Sequence, residues 1–144
     1  MSTEANKAMV LRGYEEGVNK GNVSVFDEYM APDIVFHIDG GEYNREAFKQ
    51  LVGMLRSGFP DFHASIDHFV AEGDKVVHGV TYTGTHKGSF MGLAPTGKSM
   101  KVSAFYVSRF AEGKQVEDWG VLDRLGLMQQ LGAIAPTGQD QLDK

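Results

Sequence analysis

Three carboxylates and the only tryptophan of the chain lie in one segment, 115–123, with the sequence QVEDWGVLD. The apolar residues of this segment predict a strand, in which successive side chains point to opposite faces. Asp118 and Gly120 then share a face with Leu122, and Trp119 lies on the other face. Because Leu122 is apolar, we predict that its face is buried and that Asp118 points inward.

An inward carboxylate in an apolar enclosure could serve as a general acid and base. Burial penalises the charged form, raises the pKa and allows proton exchange near neutral pH. We therefore predict Asp118 as the catalytic acid/base. The alternative is that Asp118 is solvated at the mouth of a pocket or paired with Arg109 or Arg124, and has no chemical role.

Two further polar residues are candidates for the same site. His37 ends a predicted strand beside the expected mouth, where it either hydrogen-bonds a ligand or is a structural histidine satisfied by a backbone carbonyl. Tyr106 shares its inward parity with Ala104 and Ser108 on the neighbouring strand. It either donates a hydrogen bond to a developing enolate or fills volume.

The spacing of the remaining histidines does not predict a metal site. No two of them lie at i, i+2 on a strand or i, i+4 on a helix in a way that converges with a carboxylate. His86 is expected to be structural. These histidines are His63, His68, His78 and His86.

Composition limits the classes of function. The 144 residues predict one domain over 1–144, with a polar tail from about residue 133. The net charge of −5 and the lack of a basic cluster argue against nucleic acid, which needs a positive face. No apolar run is long enough to span a bilayer, so we expect a cytoplasmic protein without a membrane partner. The absence of cysteine excludes thiolate chemistry and disulfides.

Helices are predicted before most of the strands. Val10, Tyr14 and Val18, at i, i+4 and i+8, predict a first helix over about 4–20 with one buried stripe. Two more helices are predicted, a short one around 25–30 and one that Asn44 caps and that ends before residue 59. Strands are predicted over 34–38, 63–70, 75–86, 101–110 and 115–122, with a Gly- and Pro-rich connection over 87–100 and a short helix over 126–131.

This order predicts an α+β fold with helices packed on one face of a sheet. If the antiparallel or mixed sheet is strongly curved, it wraps around the N-terminal helices as a cone-shaped barrel with one internal pocket. Met54 and Met91 are expected to fill gaps in the pocket wall. For Trp119, packing against a helix or a second subunit is favoured over a cofactor role.

Several motifs together resemble one known family. They are APDIVFH at 31–37, EGDKVV at 72–77, GTHKGSFMG at 84–92, PTGK at 95–98 and the ending VEDWGVLDRLGLMQQLG at 116–132. Over about residues 5–132 the chain resembles the SnoaL-like polyketide cyclases. The resemblance implies the cone-shaped α+β barrel of nuclear transport factor two, ketosteroid isomerase and limonene epoxide hydrolase.

The resemblance also implies a chemistry. Characterised cyclases of the family close a ring of an anthracycline precursor by intramolecular aldol condensation, without metal or cofactor, and an aspartate on the last strand is the acid/base. The implied function is cofactor-independent aldol cyclisation or isomerisation of a small hydrophobic molecule that carries a carbonyl group. A non-catalytic ligand-binding protein on the same fold is the alternative.

The sequence departs from the family at the catalytic position. Many members have His-Trp-Asp where this chain has Asp118-Trp119-Gly120, so the family's aspartate falls at Gly120. We predict that Gly120 widens the pocket and that an aspartate placed there would be tolerated in a wet cone. Residues that line the cyclase pocket from the preceding strand fall at Ala104 and Tyr106. The predicted ligand contacts are Tyr14, Ala104, Trp119, Gly120, Met54 and Met91.

The outward face of the sheet predicts an assembly. Trp119 and Phe105 have outward parity and would expose apolar area, which commonly marks an interface. We therefore expect a homodimer formed through the outer face of the sheet.

Overall fold

The computed structural model describes residues 2–135. Its helices are α1 (Thr3–Arg12), α2 (Val25–Tyr29), α3 (Arg45–Gly58) and α4 (Arg124–Gln130), and a π-helical segment, Gly13–Val18, continues α1. Its strands are β1 (Met30–Ile38), β2 (Gly41–Tyr43), β3 (His63–Glu72), β4 (Lys75–Thr85), β5 (Ser99–Ala111) and β6 (Lys114–Leu122). The predicted polar tail lies almost wholly outside the described residues.

The six strands form one curved sheet in the order β2-β1-β6-β5-β4-β3. β1 runs parallel to β6, and every other neighbouring pair is antiparallel. α1 packs against β3 and β4, and α3 packs against β1. The predicted α+β fold with a curved mixed sheet around N-terminal helices is confirmed. The barrel is not closed, since β2 and β3 are its two free edges.

The first predicted helix is in fact an α-helix followed by a π-helical segment. A Cβ atom at Gly13 would overlap the Tyr29 hydroxyl, and one at Gly17 would overlap the Phe26 ring. The two glycines therefore let this segment lie directly on α2. Wide π-helical turns are frequent at functional sites, and this one carries the buried Tyr14.

Strand β2 was not predicted, because it is only three residues long. It pairs antiparallel with β1, with Phe36 opposite Tyr43 and Ile38 opposite Gly41. The two residues between the strands have positive φ angles, 50° at Asp39 and 83° at Gly40. An Asp-Gly pair of this kind is typical of a two-residue hairpin turn, and the sequence showed the turn but not the strand after it.

The side chains between the helices and the sheet form a single core. Val25, Phe26, Ile34, Phe36 and Phe59 are each no more than 2% exposed. On β6 the predicted alternation holds, with Asp118 buried and Trp119 and Val121 exposed. Within residues 2–135, no helix is both long and apolar enough to cross a membrane.

Candidate functional site

A cavity of about 330 Å³ lies between the inner face of the sheet and the helices. This volume is at the small end of the range for ligand pockets, about 300–1,000 Å³. The wall is mostly apolar and aromatic, and includes Phe26, Phe36, Phe48, Phe62 and Phe90. A small group of polar side chains converges on it from the π-helical segment, β4, β5 and β6.

Asp118 lines the cavity and is 3% exposed. Its Oδ2 accepts hydrogen bonds from Ser108 Oγ at 2.7 Å and from Gln115 Nε2 at 3.0 Å. Its Oδ1 has no hydrogen-bond partner among residues 2–135. A buried oxygen without a partner is costly for the fold and is free to bind a ligand.

The alternative reading, a solvated or arginine-paired Asp118, is wrong. Arg109 bonds the outward Glu117 at 3.1 Å, and Arg124 faces Asp39 at 3.5 Å. Burial raises the pKa of Asp118 well above its usual range, and the hydrogen bonds from Ser108 and Gln115 only partly oppose this shift. The structure therefore encloses Asp118 as predicted, and this burial acts on its pKa in the predicted direction.

His78 on β4 connects Asp118 to the helical layer. Its Nε2 lies 2.9 Å from Ser108 Oγ, and its Nδ1 lies 2.6 Å from the Tyr14 hydroxyl. Burial lowers the pKa of His78 to about 3. Although His78 Nε2 is 4.0 Å from Asp118 Oδ2, the two are not an ion pair, because burial favours the neutral form of each.

Tyr82 and Tyr106 form a second polar group in the cavity wall. Their hydroxyl oxygens are 2.7 Å apart, and the Tyr106 ring stacks on His78 with centroids 5.3 Å apart. Burial raises the pKa of both phenols, so both remain protonated. One of the two hydroxyls donates to the other, and the second proton can be donated to a ligand or to the neighbouring Tyr14 hydroxyl.

The prediction that Gly120 widens the pocket is wrong. Gly120 lies directly opposite Tyr106 on β5, and a Cβ atom at position 120 would overlap the Tyr106 ring. The glycine accommodates an aromatic ring of the neighbouring strand, as glycines in sheets often do. An aspartate at this position would meet that ring rather than open space.

The model of the SnoaL-like polyketide cyclases matches residues 8–131. The chain belongs to the SnoaL-like polyketide cyclase family. The comparison with curated proteins gave no match.

Solved structures of the family share the fold. AclR, a proposed hydroxylase from Streptomyces galilaeus, is 30% identical with a TM-score of 0.88, over 99% of this chain and 90% of that one. IdmH, a proposed polyketide cyclase from Streptomyces antibioticus, is 30% identical with a TM-score of 0.77, over 87% of this chain and 96% of that one. A proposed polyketide cyclase from Acidithiobacillus ferrooxidans is 33% identical with a TM-score of 0.77, over 94% of this chain and all of that one.

In this SnoaL-like protein, His37 and Trp119 lie on the outer face of the sheet. Their rings stack with centroids 5.7 Å apart, and His37 Nε2 lies 2.8 Å from Glu117 Oε2. Trp119 is 37% exposed. The structure therefore separates these two predicted site residues from Asp118, and any ligand they bind would lie outside the cavity.

The other predicted contacts divide into two groups. Tyr14, Met54, Met91 and Tyr106 line the cavity. Met91 occupies the tip of a tight turn between Phe90 and Leu93, with a φ angle of 49°. Ala104 and Gly120 are not part of the described lining, and the Tyr106 ring covers Gly120.

Four polar residues of the SnoaL-like cavity were missed as site residues: His78, Tyr82, Ser108 and Gln115. On β4 a period-two signal was available, because Val76, His78, Val80 and Tyr82 occupy alternate positions of the strand, and all four are buried. A histidine in register with inward valines predicts a buried polar group that needs a partner. Among the described residues, no three His, Cys, Asp or Glu side chains converge as a metal site would require.

Proposed function

We propose that this SnoaL-like protein catalyses cofactor-independent acid–base chemistry on a hydrophobic small molecule that carries a carbonyl group. Enolisation is the first step, and aldol ring closure or isomerisation is the outcome. The observation that carries the proposal is Asp118, a carboxyl with one unpartnered oxygen in an apolar cavity. A carboxylate that burial has made more basic is suited to remove a proton from carbon.

In the proposed reaction, Asp118 Oδ1 takes a proton from the carbon next to the carbonyl group, and the C–H electron pair forms the enolate. Protonated phenols in the cavity wall stabilise the enolate oxygen by hydrogen bonds. The enolate carbon then attacks a second carbonyl of the same molecule, or is reprotonated at another carbon. Asp118 returns its proton in either case, so the carboxylate is regenerated.

The relatives support cyclisation more than other chemistry, since two of those compared are proposed polyketide cyclases. A non-catalytic binding protein is the second candidate. It is favoured by Gly120, which stands where the resemblance puts the catalytic aspartate of the cyclases and is covered by the Tyr106 ring. The two candidates differ in whether a bound ketone is enolised.

We expect the wild-type protein to catalyse exchange of the α-protons of 2-tetralone in D₂O. This bicyclic ketone is apolar, enolises readily and suits a cavity at the small end of the usual range. The exchange is followed by loss of the α-proton NMR signal, relative to buffer alone. 2-Naphthol, a planar mimic of the enolate with no α-proton to exchange, should inhibit the exchange competitively if it takes place in the cavity.

Binding of 2-naphthol without exchange of 2-tetralone would favour the ligand-binding candidate. Exchange that 2-naphthol does not inhibit would place the chemistry outside the cavity and contradict the proposal.

We also propose that the protein is a homodimer formed through the outer face of the sheet. Phe105 and Val121 face each other across β5 and β6 and are 48% and 61% exposed. Trp119 and Val77 extend the same apolar face. Light scattering should give the mass of a dimer at micromolar concentration, and Val121→Lys should shift it to a monomer, because a two-fold interface would bury the new charge twice.

Leu11→Lys is the matched control for this prediction. It adds the same charge at an exposed apolar residue of α1, away from the outer face, and should remain a dimer. A monomeric wild type, or equal dissociation of both variants, would rule out the proposed interface.

A further inference from the structure

The polar side chains of the cavity form one continuous chain of hydrogen bonds. It runs from the Tyr14 hydroxyl to His78 Nδ1 (2.6 Å), from His78 Nε2 to Ser108 Oγ (2.9 Å), and from Ser108 Oγ to Asp118 Oδ2 (2.7 Å). All four residues are at most 8% exposed. Both ends of the chain, Tyr14 and Asp118, line the cavity where a ligand would bind.

The direction of this chain depends on whether Asp118 carries a proton. When Asp118 is ionised, Ser108 donates to Oδ2, His78 donates from Nε2 to Ser108, and Tyr14 donates to Nδ1. When Asp118 is protonated on Oδ2, it donates to Ser108, Ser108 donates to Nε2, and His78 donates from Nδ1 to the Tyr14 oxygen. In the second arrangement the hydroxyl proton of Tyr14 is free to point at a ligand.

Two features of the site permit this reversal. Gln115 Nε2 can only donate, and it donates both to Ser108 Oγ at 3.1 Å and to Asp118 Oδ2 at 3.0 Å. Ser108 can therefore direct its own proton only to His78 or to Asp118. His78 is neutral in both arrangements, because the low pKa that burial causes keeps a second proton off the ring. The reversal thus exchanges one neutral tautomer of His78 for the other.

We propose that Ser108 and His78 couple Asp118 to Tyr14, so that a proton taken up by Asp118 releases the Tyr14 hydroxyl to donate to an oxygen of the bound ligand. The chemical consequence rests on the proposed enolisation, in which Asp118 gains its proton from the substrate. Tyr14 is then the ligand-binding residue at the enolate oxygen, and Ser108 and His78 are positioning residues.

The proton balance of the coupled step closes when His78 exchanges one proton with water. The substrate C–H bond breaks, and an O–H bond forms on Asp118. The carboxyl turns about its Cβ–Cγ bond so that the protonated oxygen faces Ser108 and donates to it, and Ser108 turns its own proton towards His78. His78 gives its Nε2 proton to water and takes one from water on Nδ1, so that the ring stays neutral and donates to the Tyr14 oxygen. The Tyr14 hydroxyl proton is then free to donate to the enolate oxygen.

Asp118 is the group in this cluster whose titration drives the reversal. The titratable groups that face it are Tyr14 of the π-helical segment, Tyr29 of α2, His78 and Tyr82 of β4, and Tyr106 of β5. Burial raises the pKa of all four tyrosines, so they remain protonated. Burial also raises the pKa of Asp118, and it lowers that of His78.

The tautomer of His78 can be measured by ¹⁵N NMR without any ligand or substrate, because protonated and unprotonated ring nitrogens have well-separated shifts. We expect the His78 proton to be on Nε2 at high pH and to move to Nδ1 as Asp118 takes up a proton. The ¹³C signal of the Asp118 carboxyl group reports this protonation in the same samples. Ser108→Ala and Tyr14→Phe each break the chain and should abolish this change. The second variant tests the proposal even if the first does not fold.

His86 is the internal control. The backbone N–H of Thr96 donates to His86 Nδ1 at 3.2 Å, so the neutral His86 ring should carry its proton on Nε2. A His78 tautomer that does not change with pH in the wild type would overturn the coupling, and so would a change that persists in both variants. Because this readout needs no turnover, a coupled His78 in a protein that does not exchange 2-tetralone would refute the proposed reaction and leave the coupling intact.

Discussion

The Asp118→Asn variant is expected to exchange the α-protons of 2-tetralone about 10²–10⁴-fold more slowly than the wild type, which is the usual loss when a general acid/base is removed. Asparagine keeps the size of the side chain and can still accept hydrogen bonds from Ser108 and Gln115. It cannot take a proton from carbon. The measurement is the exchange rate at saturating ketone, compared with buffer.

Glu117→Gln is the matched control, because it neutralises the adjacent carboxylate of the same strand on the outer face. Its exchange rate should equal that of the wild type. An Asp118→Asn variant with wild-type activity would show that the proton is transferred by another group.

The same variant should be at least as stable as the wild type at neutral pH. Because burial raises the pKa of Asp118, the folded state binds more protons than the unfolded state above the ordinary carboxyl pKa. The wild type therefore loses stability as the pH rises through this range, by at most about 1.4 kcal/mol per pH unit. The Asp118→Asn variant should have the higher free energy of unfolding at neutral pH, and the difference from the wild type should shrink below about pH 4. Urea unfolding at both pH values measures it.

Gly120→Ala is expected to lower the free energy of unfolding by about 1–3 kcal/mol, the usual cost of an overpacked site. The added methyl group would overlap the Tyr106 ring, and that ring is held from its other side by His78. Urea unfolding of the variant and the wild type under identical conditions gives the difference.

Gly53→Ala in α3 is the control for the same chemical change. No atom lies within 4 Å of a Cβ placed there, among the residues that the structure describes. Alanine in a helix interior should raise stability by about 0.5–1 kcal/mol. If Gly120→Ala were as stable as the wild type, the Tyr106 ring would have to move without cost, and the close packing inferred for it would be incorrect.

The sequence predicted the fold well wherever the pattern was local. The inward direction of Asp118 could be predicted because it lies four residues before the apolar Leu122 on the same strand, and so on the same face. The long strands β4, β5 and β6 could be predicted from their composition. The parallel pairing of β1 with β6 could not be predicted, because it depends on contacts between segments far apart in the chain. The π-helical segment was not predicted, because the reason for its glycines lies in another helix. Phe26 and Tyr29 of α2 pack so closely on them that a Cβ atom would not fit.

The site was predicted only in part, for a related reason. Metal-ligand spacing does not identify His78, because this residue is a neutral hydrogen-bonding group between Tyr14 and Ser108. The sequence of β6 alone predicts open space at Gly120, because it does not reveal which side chain of the neighbouring strand β5 covers the glycine. Knowledge of the register that sets Tyr106 opposite Gly120 would have corrected this interpretation.

The parallel pairing of β1 with β6 also sets an order on the growth of the chain during synthesis. Two-residue turns join β3 to β4 and β5 to β6, and residues 86–98 join β4 to β5, so each of these strands pairs with the strand that precedes it in the chain. β1 is synthesised before these strands. Phe36 can pair with Asp118 across the parallel strands β1 and β6 only after Asp118 has been synthesised. The ribosome must therefore have released β6 before β1 can pair with it and complete the sheet around the cavity, and Asp118, the proposed acid/base, belongs to β6.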